Sequence, residues 1–397
     1  MKKIVSIALF AALALSATAK EKAKKEEGFV FTTVKENPIT SIKNQNRSST
    51  CWSFSGAAFL ESELLRKGKG TYDLSEMYIV HHTMEDRAER YVRLHGESSF
   101  APGGSFYDVM YCLKNYGLEP QEAMTGLHYG DSLPVHNELD AVMKGYLDAI
   151  AKNSSLKKLT PVWKRGFDAV VSNYLGARPE YFNYNGKKYD AKAFARELEL
   201  NTDDYVSLTS FTHHPFYTQF ALEIEDNWRN GESYNLPLDE FMAVIDNAVS
   251  NGYTVAWGSD VSETGFTRNG IAVVPQEIKT SDLSGSDMAR WTGLTKEEKN
   301  KELTAKPRPE KEINQKMRQE GFDNWETTDD HGMLIYGIAK DQNGKDYYMV
   351  KNSWGTDNKY KGTWYASKAF VKYKTINILV HKSALPKEIA DKLGIKL

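Results

Sequence analysis

The sequence predicts an α+β fold with a helical first half and a strand-rich second half. Three observations carry this. Helical spacing of apolar residues dominates from 51 to 151, extended runs gather after 253, and an Asn343-Gly344 pair joins two of those runs as a hairpin turn would. After Cys51, the residues Phe54, Ala57, Ala58, Leu64 and Leu65 recur at helical spacing until Gly68 and Gly70 stop the run. A second helix is expected to start near Ser75, with Val80, Met84, Ala88 and Tyr91 on one face. Pro102-Gly103-Gly104 is a break, and 107–116 reads as a third helix closed by Gly117. Leu139, Val142, Met143, Tyr146, Leu147 and Ile150 fit a helix over 136–151; Phe241, Val244, Ile245, Ala248 and Val249 fit another over 239–251. The runs 253–257, 333–339, 346–352 and 375–380 read as strands. Residues 29–50 look extended and turn-rich, and 295–320, dense in Lys and Glu, reads as a solvated surface.

The chain has 397 residues with 51 Lys+Arg against 53 Asp+Glu, 41% hydrophobic and 12% aromatic, which excludes disorder as its main state. Its length suits two or three structural units. The near-neutral balance gives no reason to expect nucleic acid as a partner. Lys2 and Lys3 precede a largely apolar run over 4–17, and Ala17-Thr18-Ala19 follows as a small-x-small cleavage site. This is a secretory signal peptide in outline, with cleavage before Lys20, so export to a periplasm or the medium is expected. The run is too short for a bilayer-spanning helix, which takes about 20 apolar residues. No Cys follows it that could carry a lipid, and no later stretch is apolar enough to span, so no membrane association is expected after cleavage. The expected organisation is a signal peptide (1–19), a charged lead (20–28), a first core half (29–120), a mainly helical insertion with the start of the β-rich half (121–324), and the remainder of that half with a C-terminal tail (325–397).

Two cysteines cannot build a disulfide framework. Cys51 stands where an irregular segment enters a helix, where backbone N–H groups favour a thiolate and lower its pKa, so it is a candidate nucleophile. Cys112 lies within a helix beside Leu113 and reads as core. Gln45 precedes Cys51 by six residues, close enough for its amide to serve a developing oxyanion. His331 opens one strand and Asn352 ends the next. Antiparallel pairing would bring them together, so that Asn352 bonds one imidazole nitrogen, the other faces the thiol, and Trp354 covers the pair from water. No metal or cofactor is expected: no HExxH spacing occurs, and the neighbours His81-His82 and His213-His214 would not share a face on a helix or strand.

Together, Lys43-Asn44-Gln45, Cys51-Trp52-Ser53-Phe54-Ser55, Leu74-Ser75-Glu76, Gly103-Gly104, Asp330-His331-Gly332 and Lys351-Asn352-Ser353-Trp354-Gly355 resemble the papain-like cysteine peptidases, in that family's order of Gln, Cys, His and Asn. The resemblance implies a two-lobed papain-like fold. It implies Cys51 as nucleophile, His331 as base and then acid, Asn352 as its orienter, Gln45 in the oxyanion hole, and Gly103-Gly104 as the cleft wall along which a peptide lies. The usual Cys three residues before the nucleophile is Ser48 here, and the usual Gly that follows it is Ser49. His331 follows Cys51 by 280 residues, against about 130–150 in papain and cathepsins, so a large insert separates the halves of the site. Both departures match the bleomycin hydrolase and bacterial aminopeptidase C branch. Phe216-Tyr217, Asn235-Leu236-Pro237-Leu238 and the run 254–261 look like further pieces of it. That branch implies a cysteine aminopeptidase acting on peptides through a thioester, assembled as a ring of six. It also implies a carboxyl terminus, here Leu397, that holds the substrate's ammonium. The alternatives are an endopeptidase with an open cleft, a non-catalytic relative, and a metal hydrolase. Cys51 and Cys112 are not expected to pair.

Overall fold

A computed structural model describes residues 28–397; the expected signal peptide and nearly all of the charged lead lie outside the described residues. Among the described residues no helix is long and apolar enough to cross a membrane.

The helical half forms around Cys51–Arg66, a helix buried from Trp52 through Leu64. A helix can be buried all round only if neighbours approach closely and its polar groups find partners. Both conditions are met by its small residues. A Cβ on Gly56 would come within 2.5 Å of the Val109 side chain, so glycine admits the third helix at that point. Ser53 and Ser62 donate to the carbonyls of Glu76 and Ala58. The second helix, Glu76–Arg93, starts at the expected place because Ser75 Oγ accepts the N–H of Tyr78. The third, Phe106–Asn115, opens on a capping box between Ser105 and Asp108. Asn137–Ala151 and Val162–Leu175 complete one hydrophobic core with these three. The Val162 helix went unread because its buried face is only Phe167, Val171 and Leu175, too thin a stripe to stand out.

The second half is a long mixed sheet. His331–Asp341 lies near its middle, paired antiparallel with Val255–Ser259 on one side and with Asp346–Lys351 on the other through the Asn343-Gly344 turn. Phe31–Glu36 pairs with its far end. Beyond Val255–Ser259 come Thr375–His381, Tyr205–Thr209, Glu232–Asn235 and Gln219–Ala221; beyond Asp346–Lys351 come Thr363–Ser367, Ile271–Ala272 and Phe266–Thr267. The sheet also recruits strands from 205–235, before the 253–257 run that is the first to read as a strand in sequence; these segments are short and lack clear alternation. The helix read over 239–251 is Leu238–Ser250. It packs Phe241, Val244, Ile245, Ala248 and Val249 into the core of the sheet half, not into a separate insert.

The charged stretch 295–320 divides in two. Lys296–Leu303 buries nothing and is solvated as its composition suggests. Gln315–Asp323 does not follow: Arg318 is fully buried. Its Nε donates to Ser210 O at 2.7 Å and its Nη1 to Lys372 O at 3.1 Å, with the guanidinium over the Phe211 ring. Burial pulls its pKa down to about 9. With the side chain cut back, Ser210 O would keep only the longer bond from Gln315 Nε2 at 3.3 Å, and Lys372 O would lose its guanidinium donor. Arg318→Ala should therefore lower unfolding stability by roughly 3 kcal/mol, read as a lower urea midpoint.

Candidate active site

The chain turns tightly before Cys51, with Asn46 and Ser49 both at positive φ, and Cys51 is the first residue of its helix. It lines a narrow cleft of about 30 Å³ together with Gly104, Asp226, Asp329, His331 and Gly332. The cleft joins the two halves, and Gly332 sets how closely they meet. A Cβ there would lie 2.6 Å from Ser55 Oγ, 3.3 Å from Trp52 Cα and 3.4 Å from Cys51 O. The lone hydrogen of glycine lets the strand rest on the helix's first turn.

His331 and Asn352 meet as antiparallel pairing requires. Lys351 stands opposite Leu334, so the end of one strand lies beside the start of the other. His331 Nε2 and Asn352 Oδ1 are 2.8 Å apart. The Ser353 N–H donates to the same Oδ1 at 2.7 Å, which identifies that atom as the acceptor oxygen. The imidazole proton is therefore on Nε2, and Nδ1 keeps its lone pair. The Trp354 ring lies 4.7 Å from the imidazole and is backed by Trp364 and Phe266. Gln45, buried, is tied to the same corner: its N–H donates to Ser353 O at 2.8 Å, and Ser353 Oγ donates to its Oε1 at 2.6 Å. The carbonyl end of the amide is thereby held, and its NH2 is the end left to serve a ligand. Lys43 joins two of the motifs, donating to Leu74 O and pairing with Glu76 at 2.5 Å.

The glycine wall is asymmetric. Gly104 lines the cleft, and a Cβ on it would strike the Trp52 indole at 2.8 Å. Gly103 lies beneath Asp226, whose carboxylate oxygens would be 2.2 Å from a Cβ there; its carbonyl accepts from Arg87 Nη1 at 2.5 Å. Leu397 is not brought to this cleft, contrary to what the branch resemblance implies. The helix Lys387–Leu393 buries Ile389, Ala390 and Leu393 in the sheet-half core, and Lys392 pairs with Glu240. Gly394 then turns the chain in the left-handed region, Ile395 packs back on that core, and Leu397 ends 56% exposed. Cys112 is buried, its Sγ 3.7 Å from Gly117 O, and both cysteines are free thiols.

Burial pushes the Cys51 thiol up to about 12. The N–H groups of Gly332 and Trp52 pull it down, and the charges of Asp329 and Asp226 push it further up. The helix start thus acts in the expected direction but is outweighed. Burial brings His331 down to about 4, against the opposing pulls of Asn352 and Asp330. Each group alone prefers to be neutral. Moving the thiol proton to Nδ1 would create adjacent opposite charges that offset each other's burial.

Neither histidine-bearing acidic group is arranged for a metal. His213 and His214 lie in a bend, outside any helix or strand, and both reach Glu223, at 3.0 and 2.7 Å, so neighbours in sequence do share a face here. Gln319 Oε1 accepts from the Thr212 N–H, so its Nε2 donates to His213 Nδ1, leaving the ring proton on the nitrogen that faces Glu223. A ligating nitrogen must be bare. Beside His81, Glu85 and Asp168 are bridged by Arg178. Sequence reasoning missed Asp226, Asp329, Arg87 and Ser353. Only Ser353 had a signal, lying inside a recognised motif.

Gly332→Ala should cut kcat/KM roughly 10–100-fold by prising the strand from the helix. Because Ser55 Oγ is the nearest obstacle, adding Ser55→Ala should restore part of that loss, measured by steady-state kinetics on an aminoacyl amide.

The Peptidase C1-like family model matches residues 1–276 and 310–396. The unmatched gap holds the surface helices Gly285–Gly293 and Lys296–Leu303. Aminopeptidase G of Lactobacillus delbrueckii subsp. lactis is 23% identical over 409 residues, covering 92% of this chain and 86% of its own length. Aminopeptidase C of Listeria monocytogenes is 22% identical over 389 residues, covering 88% and 82%. The solved structure of PepW from Lactobacillus rhamnosis HN001 superposes with a TM-score of 0.67 at 19% identity, over 91% of this chain and 84% of that one, and so has the same papain-like fold. The family match runs through both halves of the cleft and nearly all of the chain, and this protein belongs to the Peptidase C1-like family.

Proposed function

We propose that this chain is a cysteine aminopeptidase that removes N-terminal residues from peptides by acyl transfer. The observation that carries the reading is the meeting of Cys51 and His331 in one cleft, with Asn352 fixing the imidazole so that Nδ1 is free to take a proton. As Cys51 Sγ attacks the scissile carbonyl carbon, His331 Nδ1 takes the thiol proton. The carbonyl oxygen gathers negative charge, met by the Gln45 amide NH2 and the Cys51 N–H. The tetrahedral intermediate collapses, the C–N bond breaks, and Nδ1 gives its proton to the leaving amine, leaving a thioester. His331 then takes a proton from water, whose oxygen attacks the thioester, and the thiol is regenerated as the acid departs. Trp354 shields the His331–Asn352 bond throughout.

Two things favour an exopeptidase over an endopeptidase. Both named relatives are aminopeptidases. The cleft is also short: Asp226 covers Gly103, so the wall offers little length for residues on the amino side of the cut.

We further propose that the chain is exported, on the strength of the basic start, the apolar run and Ala17-Thr18-Ala19. N-terminal sequencing of the secreted protein should begin at Lys20; a retained Met1 in a cytosolic product would refute this. A ring of six copies, implied by the branch resemblance, should show as a single hexamer mass in light scattering.

Free-amino aminoacyl substrates should be cleaved and their N-acetylated forms rejected, with Cys51→Ala inactive on both. Equal turnover of the two forms would replace the aminopeptidase reading with an endopeptidase. Gln45→Ala should lose roughly 10²–10³ in kcat, since an oxyanion donor acts only in the transition state.

A further inference from the structure

We infer that Asp226 and Asp329 together seat the free α-ammonium of the substrate's first residue. This rests on the aminopeptidase reading and supplies what it lacks with Leu397 outside the cleft, a counter-charge for the ammonium.

Both carboxyls line the cleft with Cys51 and His331. Asp226 rests on Gly103, where a longer peptide would continue along the wall, so the space on that side ends at a carboxylate. Asp329 enters from the loop two residues before His331. The nucleophile and both acids line this one narrow cleft, so a substrate with its carbonyl at Cys51 has these carboxyls beside it.

These acids also differ from ordinary surface acids. Neither is held by a hydrogen bond or ion pair from the described residues. The nearest guanidinium, on fully buried Arg87, directs its donors to Gly103 O, Ser99 O and Ser99 Oγ. Burial, with the charges of Asp226 and Asp330, raises Asp329 to about 8. Burial raises Asp226 to about 6, with Arg87 opposing and Glu225 and Asp108 adding to the rise. Two crowded carboxyls without a partner, of which burial keeps Asp329 largely protonated, form a seat for a cation that would draw that proton off, and an ammonium has three N–H groups to share between them.

Seating the ammonium has a second effect. The same two charges raise the Cys51 thiol, so a cation between them weakens that opposition as the substrate arrives. An acetylated substrate loses both the anchor and this relief.

The test compares Asp226→Asn, Asp329→Asn and the double variant with the unsubstituted protein, on leucyl-aminomethylcoumarin and its N-acetyl form. The double variant should lose roughly 30-fold or more in kcat/KM on the free-amino substrate, mainly through KM, and show no such loss on the acetylated one, where the eased thiol acts without an anchor to lose. Iodoacetamide labelling of Cys51 with the buried Cys112 left unmodified reports that the variants are folded. A preference for the free amine unchanged within twofold in a labelled double variant overturns the inference, as does loss of that preference on deleting Leu397. If the unsubstituted protein shows no preference, the aminopeptidase reading itself fails, and that is read before any variant is made. Should the variants not fold, calorimetry on full-length Cys51→Ala decides. Leucinamide should bind at least tenfold tighter than its des-amino isostere 4-methylpentanamide, and equal affinity overturns the inference.

Discussion

The first turn of the Cys51 helix lies directly against the start of the His331 strand, and the rest of the site depends on that contact. Leu334 of that strand packs into the helical core while Met333 and Ile335 pack into the sheet core, and one further residue fixes how closely strand and helix approach at the site. That residue is Gly332, because any larger one meets Ser55 and the helix backbone. A second seam secures the join: Gln45 donates to Ser353 O and Gly355 to Lys43 O, so two motifs at opposite ends of the chain form a short antiparallel bridge. Beneath it, Lys351 donates to Thr40, which in turn donates to the buried Glu61 of the Cys51 helix, while Lys43 pairs with Glu76 of the next helix. Polar groups buried this deeply are costly unless satisfied, and their partners exist only when the halves are in register. The cluster therefore favours one relative placement of nucleophile and base.

The electrostatics of the cleft follow from what that seam buries. Thiol and imidazole are each held neutral by desolvation, and two aspartates add negative potential on one side of the sulfur. Such a resting state suits an enzyme that acts only when a cationic substrate end is present. The charge needed to ease ionisation of the thiol is then carried by the ligand.

The long segment between the halves is not an appendage. Its strands extend the main sheet, its helix Leu238–Ser250 fills the sheet core, and the loop carrying Asp226 closes one end of the cleft. Arg318, from a stretch whose composition suggests solvent, is buried to tie that region to the chain before the last strand. The same linkage occupies the carboxyl terminus elsewhere, since the last helix docks on the sheet core instead of reaching the site.

The sequence by itself determined the features that depend on near neighbours. Helices after Cys51 and Ser75 follow from apolar spacing and a serine cap, and Asn343-Gly344 forces a hairpin that delivers Asn352 to His331 whatever the rest of the chain does. The Cys51, His331, Asn352 and Gln45 set was legible because each lies in a short motif beside an element boundary. Asp226, Asp329 and Arg87 carry no such mark: an aspartate in a loop reads the same whether it faces water or a glycine across the molecule. Only tertiary packing, which sets burial and the distance between unlike segments, decided that two acids flank the nucleophile and that Leu397 does not, since a charge acquires its effect from its surroundings and not from its place in the chain.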